Sequence, residues 1–199
     1  MPSSEIVLPL VAMMKSVLES LDDERVEPFL ALWPTAEDVD RVLEPRGLPV
    51  LGWLETAVSS TTPQTYPLAA QLANAAPHLA WGQTYSASDF GADFLSRYGW
   101  TELIGLRGPI ASDQLGSGFL LLAPQLEYPL HSHQAEEIYL PLTEPTRWLR
   151  GNEPWQTHPA GQPIHHPAWL PHAMHTETTP LLALYLWRNG NLTQKSRIH

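Results

Sequence analysis

A mostly β protein is expected from this sequence, with a helical first half followed by one small antiparallel β-barrel. Three observations predict it. Near the start, Leu10, Val11, Met14, Val17, Leu18 and Leu21 recur at helical spacing. From Trp100 onward the texture changes to short apolar runs separated by Pro, Gly and Asn, the pattern of a small sandwich or barrel. The chain has 199 residues, 43% of them hydrophobic and 16% charged, which suits one folded domain with a real core.

The elements follow in order. The first helix carries the apolar stripe. Pro34 stops a second segment, and Thr35 is an N-cap for a helix from Ala36 to Glu44, closed by Pro45 and Gly47. Residues Tyr66 to Ala76, rich in Ala, Leu and Gln, form another helix ended by Pro77. Ser88 to Tyr98 is a short helix with Gly99 at its end. Strands are expected at Gly118 to Ala123, Glu137 to Leu142, Thr146 to Leu149 and Leu181 to Trp187. The organisation expected is a helical region over 1–99, packed on a barrel over 100–199 that carries the site. Neither a solenoid repeat nor a low-complexity linker divides the chain.

Composition removes several functions. The formal charge is −10, and no Lys/Arg cluster occurs, which argues against nucleic acid and anionic membrane surfaces as partners. Cysteine is absent, so disulfides, thiolate zinc sites and cysteine nucleophiles are all excluded. Any metal must be held by imidazole and carboxylate. No apolar run reaches the roughly 20 residues of a membrane span. The opening MPSSEIVLPLVAMMKS lacks a basic stretch before its apolar part and reads as the first helix, so the expected location is the cytoplasm.

Most of the nine histidines lie after residue 120. Residues two apart on a strand face the same side, so His131 and His133 project together. Glu137 and Tyr139 do likewise if the next strand starts after a turn at Gln134 and Ala135. A hairpin would bring two imidazoles and a carboxylate to one point, a ligand set for Fe(II), Mn, Ni, Co or Zn. The alternative, surface residues of a strand and turn, loses ground because of a second stretch, Gly161 to His175, with His165, His166, His172 and His175.

Together the two stretches resemble the cupin family, with its motifs G-x5-H-x-H-x3,4-E-x6-G and G-x5-P-x-G-x2-H-x3-N. His131, His133 and Glu137 hold the first spacing, and Gly161, Pro167 and His172 the second. The turn residues depart from the pattern: Gln125 or Pro124, Glu144 and Trp169 stand where it has glycine, and Thr176 where it has asparagine. The resemblance implies a cupin (double-stranded β-helix, jelly-roll) barrel binding one divalent metal ion through His131, His133, Glu137 and His172. His165, His166 and His175 compete for the fourth place; the spacing from Gly161 and Pro167 favours His172. His78 and His158 have no supporting context and are expected to be exposed.

The string Tyr128-Pro-Leu-His131-Ser-His133-Gln-Ala-Glu136-Glu137-Ile-Tyr139, with Pro171-His172-Ala-Met-His175 later, resembles more closely the cupin-type dimethylsulfoniopropionate lyases. That resemblance implies a bacterial enzyme that cleaves dimethylsulfoniopropionate to dimethyl sulfide and acrylate by β-elimination. Tyr139 is then the candidate base for the Cα proton, and Tyr128 an alternative base or a hydrogen-bond donor to the carboxylate. Tyr128, His131 and Trp187 would face the substrate, Trp187 offering an aromatic face to the sulfonium. Trp148, Trp155 and Trp169 are as well explained by packing. Adjacent residues on a strand point opposite ways, so Glu136 is expected to be solvated or paired outside the site.

The rival readings are an oxygenase acting on a small acid, a sugar isomerase, and a non-catalytic cupin that binds a small ligand. Few Lys or Arg residues lie in the barrel half, which disfavours phosphorylated substrates. The partner expected is a small molecule, with the chain as monomer or homodimer.

Overall fold

The computed structural model describes residues 4–36 and 39–199. Helix α1 (Ser4–Glu19) buries Leu10, Val11, Met14 and Leu18 of the stripe read from the sequence, together with Val7, while Val17 is half-buried and Leu21 lies beyond the helix end. Each of the buried side chains contributes about 1.5–3 kcal/mol. Short α2 (Glu27–Leu30), a 3-10 turn at Pro49–Trp53, α3 (Leu54–Ser59) and α4 (Tyr66–Ala75) follow, then another 3-10 turn at Ala76–His78.

The helix expected at 36–44 is not present at Ala36 or at residues 39–44; its remaining positions lie outside the described residues. Tertiary pairing takes its backbone instead. The amides of Asp40 and Arg41 donate to the Pro109 carbonyl at 2.9 and 3.2 Å. The Asp40 carboxylate accepts from the Ala111 amide at 2.6 Å.

Among the described residues, eleven strands make two antiparallel sheets. The six-stranded sheet runs β1 (Trp81–Gly82), β2 (Tyr98–Ile104), β3 (Leu115–Leu122), β10 (Leu181–Arg188), β5 (Glu136–Pro141), β8 (Ile164–His166). The five-stranded sheet runs β11 (Arg197–Ile198), β4 (Glu127–Ser132), β9 (His172–Thr176), β6 (Thr146–Arg150), β7 (Gln156–His158). The two sheets face each other, as in the expected jelly roll, rather than closing into one hydrogen-bonded cylinder. Helix α5 (Ala87–Ser96) sits between β1 and β2, opened by a capping box at Ser86 and Asp89 and kinked at Gly91 (φ 80°). Gly99 does not cap that helix. It lies within β2, opposite Leu121, where a Cβ would come 2.7 Å from Leu48 Cδ1. Strand β2 thus starts before residue 100 and straddles the expected boundary between the halves.

The six-stranded sheet is covered on both faces, which is why β3 and β10 read as continuous apolar runs. On β10, Leu182, Leu184 and Leu186 join the cluster formed with α1, α3 and α4. Its other face, Leu181, Ala183 and Tyr185, joins Tyr128, Trp148 and Met174 between the sheets. Strand β5 splits the same way: Ile138 and Leu140 pack under the helices, while Tyr139 faces the inner cluster. The period of two therefore turns Glu137, Tyr139, Tyr185 and Trp187 toward the interior. Among the described residues no helix is long and apolar enough to cross a membrane.

Candidate functional site

Strands β4 and β5 are consecutive but do not pair. β4 bonds to β9 and β11, and β5 to β10 and β8. The expected hairpin is therefore a crossover from one sheet to the other, with His133, Gln134 and Ala135 as the connection. Convergence comes from the two inner faces looking at each other.

The four groups do converge. His131, His133 and His172 each offer a nitrogen within 4.8 Å of the others, and all are buried. Glu137 Oε2 lies 3.1 Å from Nε2 of His133 and 3.1 Å from Nε2 of His172. The opposite nitrogen of each imidazole is committed to the main chain. Nδ1–H donates to the carbonyl of Pro129 from His131 (2.8 Å), of Ala135 from His133 (2.8 Å) and of Leu170 from His172 (2.9 Å). Those bonds select the tautomer that leaves Nε2 as a lone pair.

Three lone pairs and a carboxylate oxygen facing one point, 0–2% exposed, are acceptors with no donor among them unless a proton or cation intervenes. The donor set fits a divalent first-row ion held by His131, His133, Glu137 and His172.

Electrostatics agree with this. Burial holds His131 well below its ordinary 6.5, so it is neutral. Burial also works against a charged His133, but Glu137's charge and hydrogen bond outweigh it and leave His133 raised. Glu137 is the reverse: burial favours the acid, while His133 and His172 hold the carboxylate well below its ordinary range.

Both tyrosines line the same cavity as His131, Glu137 and Trp187. Burial pushes the Tyr139 phenol well above 10, with the Glu137 charge adding to it. Tyr128 is raised chiefly by burial as well, inside an aromatic group with Tyr85, Phe94 and Tyr98 whose centroids lie 5.8–5.9 Å away. Its ring also meets His131 edge-on at 5.0 Å.

Trp187 has a second attachment. Its indole N–H donates to Glu137 Oε1, and its ring packs on His133 with centroids 4.2 Å apart. Glu136 points away, accepting from His165 at 2.8 Å and pairing with Arg188 at 2.8 Å.

Of the other histidines, His78 is exposed and His158 half-buried. His175 packs near Trp155, with centroids 6.4 Å apart. His166 is different: it is fully buried, both ring nitrogens lack a hydrogen-bond partner, and it forms a second group with Glu137 and His172. Strand register explains this, since β8 sets His166 directly opposite Glu137.

The altered turn positions keep their geometry. Trp169 and Gln125 adopt left-handed backbone at φ 63° and 55°, as a glycine there would. The Trp169 amide donates to the His133 carbonyl at 2.8 Å, so the turn braces a site residue. Thr176 closes its turn by donating through Oγ1 to Ala123 O at 2.7 Å and accepting from the Leu126 amide at 2.9 Å.

A family model for dimethylsulfoniopropionate lyases matches residues 29–183. This chain belongs to the dimethylsulfoniopropionate lyase family. It is 41% identical over 108 residues to dimethylsulfoniopropionate lyase DddQ of Ruegeria pomeroyi, covering 54% of each chain. The alignment thus spans about half the length of that curated relative. Solved structures are matched over nearly their whole length. The DddQ crystal structure from Ruegeria pomeroyi superposes with TM-score 0.87 at 30% identity, covering 98% of this chain and 96% of that one. A structure described with the lyases RdDddP and RnDddQII gives TM-score 0.86 at 33% identity, covering 98% of both chains. The helical first half, matched from the sequence by general plan alone, is therefore part of the shared fold.

Four cavity-lining features were not singled out in the sequence: Trp100, Tyr185, the Glu102–Arg107 pair, and Leu192, Gln194 and Ser196 beyond β10. They come from separate segments: β2–β3–β10 pairing brings the first three together, and the return of β11 to β4 adds Leu192, Gln194 and Ser196.

Proposed function

We propose that this protein is a metal-dependent lyase that cleaves dimethylsulfoniopropionate to dimethyl sulfide and acrylate by β-elimination. The observation that carries the reading is the convergence of His131, His133, Glu137 and His172 beside two cavity tyrosines, in a chain of this family. A bound divalent ion would supply Lewis acidity, offsetting negative charge that develops on the substrate carboxylate and on a nearby phenol.

The protein's own residues do the rest. Tyr139 is assigned as the base, because it shares a strand face with Glu137 and lines the cavity. Its phenolate takes the Cα proton. The C–H electrons form the Cα=Cβ bond as the Cβ–S bond breaks, and sulfur leaves with its electron pair as neutral dimethyl sulfide. Burial, and the Glu137 charge with it, opposes that ionisation, so Tyr139 needs positive charge beside it to act. Tyr128, held in its aromatic group, is assigned to orient the substrate carboxylate. Trp187 keeps the aromatic role read from the sequence and additionally holds Glu137 in place. Leu120, Tyr185 and Trp187 line the cavity, and the low-polarity surface they present strengthens each of these interactions.

Anaerobic incubation of metal-replete protein with dimethylsulfoniopropionate tests the reading. Equal amounts of dimethyl sulfide and acrylate are expected without O2, which separates a lyase from an oxygenase. Absence of both products contradicts it.

A further inference from the structure

Residues 189–199 leave β10 and return along the same cavity. Leu192, Gln194 and Ser196 line it, in alternation with exposed Thr193 and Lys195. The segment is tied down along its length. Arg107 Nη2 donates to the Leu192 carbonyl at 3.2 Å, Lys195 pairs with Asp89 of α5 at 2.7 Å, and β11 sets Ile198 opposite His131. His199 adds two bonds, its amide to the Leu130 carbonyl at 3.0 Å and its ring to Ser132 Oγ at 2.8 Å. This strap is a fixed wall of the site.

One atom in it is unexplained. Gln194 Oε1 is shielded from solvent and has no hydrogen-bond donor, a state that buried carbonyls avoid unless something occupies the space before them. The cavity's two carboxylates are already engaged. Glu137 faces the histidines, and Glu102 accepts from the Arg107 amide (2.6 Å), its guanidinium (3.0 Å) and the Gly108 amide (3.1 Å). Glu102 and Glu137 therefore leave a neutral dipole, not a carboxylate, to meet a cation in this cavity. The aromatic side chains of Trp100, Tyr185 and Trp187 line the same cavity.

We propose that Gln194 is a substrate-binding, specificity-determining residue whose amide oxygen receives the dimethylsulfonium group of the substrate. The assignment rests on the lyase reading above. A sulfonium has no N–H or O–H. It offers positive charge and polarised C–H groups, which suit an unpaired carbonyl dipole and aromatic faces. A neutral acceptor also loses its attraction once the leaving group becomes uncharged dimethyl sulfide, whereas a carboxylate would stabilise the bound substrate more strongly than the transition state.

The test uses the metal-loaded full chain with Gln194→Leu and Gln194→Glu. Gln194→Leu is expected to raise KM for dimethylsulfoniopropionate by roughly 5- to 20-fold with a much smaller change in kcat. Inhibition by acrylate, which has the carboxylate but no sulfonium, is expected to stay unchanged. Trimethylsulfonium, titrated calorimetrically, is expected to bind more weakly to Gln194→Leu and more tightly to Gln194→Glu than to the unsubstituted protein. Unchanged KM and unchanged trimethylsulfonium binding in both variants overturn the assignment, as does a parallel loss of acrylate binding. If the unsubstituted protein releases no dimethyl sulfide, the lyase reading fails, and the trimethylsulfonium titration still decides the role of Gln194.

Discussion

Glu137 Oε2 lies 3.1 Å from His172 Nε2, although β5 and β9 belong to opposite sheets. The pair therefore crosses the sandwich, and a cation held there ties the two sheets together. Ligands that bind only the folded state raise stability by about 2.7 kcal/mol at a hundredfold excess over Kd. For a chain of this size that corresponds to a rise in Tm of roughly 5–10 °C. Adding a divalent transition metal to metal-stripped protein should produce that shift in a thermal melt. His172→Ala should abolish most of it, whereas His166→Ala should leave it; the opposite result transfers the ligand role to His166.

Metal affinity should depend on pH through His133. Its pKa is raised by Glu137 in the metal-free protein, so the protonated pair stabilises that form below about 6.5 and loses its contribution as pH rises through the raised value. Metal needs the neutral imidazole, so affinity moves the other way and strengthens with pH. His131, neutral throughout, releases nothing. Calorimetry in buffers of different ionisation enthalpy should detect proton release on metal binding that grows as pH falls below the raised value, with an apparent Kd that worsens over the same range. Affinity that does not change with pH argues against the pair.

Replacing Tyr139 by Phe removes the proposed base and no metal ligand. The kcat for dimethyl sulfide release should fall by about 10²- to 10⁴-fold with metal content by elemental analysis unchanged. Tyr128→Phe should act mainly on KM. Full activity in Tyr139→Phe disqualifies it as base.

Trp187→Phe keeps an aromatic ring over His133 but deletes the indole donor to Glu137. Loss of such an orienting bond typically weakens metal binding by about 10- to 100-fold. Competition with a fluorescent chelator should show it. Undiminished affinity would confine Trp187 to the substrate side.

Local spacing made much of this legible. His131, His133 and Glu137 lie within seven residues, and Gly161, Pro167 and His172 keep the second motif's spacing, although it is the facing of the two sheets that brings the ligands to one point. The Trp169 and Gln125 departures looked like damage to those turns. The backbone at φ 63° and 55° instead keeps the turn at the expense of local strain. What stayed hidden depended on distant partners. Asp40 and Arg41 gave up a helix to pair with Pro109, 69 and 68 residues further on. His166 entered the site only through its register with Glu137, and Gln194 only because β11 returns to β4.

The most direct measurement is a metal titration of stripped protein, reading headspace dimethyl sulfide against bound metal. The account predicts a rate near zero without metal, rising linearly and levelling at one ion per chain, with acrylate formed in equal amount. Product release that persists in fully stripped protein, or none at full occupancy, contradicts it.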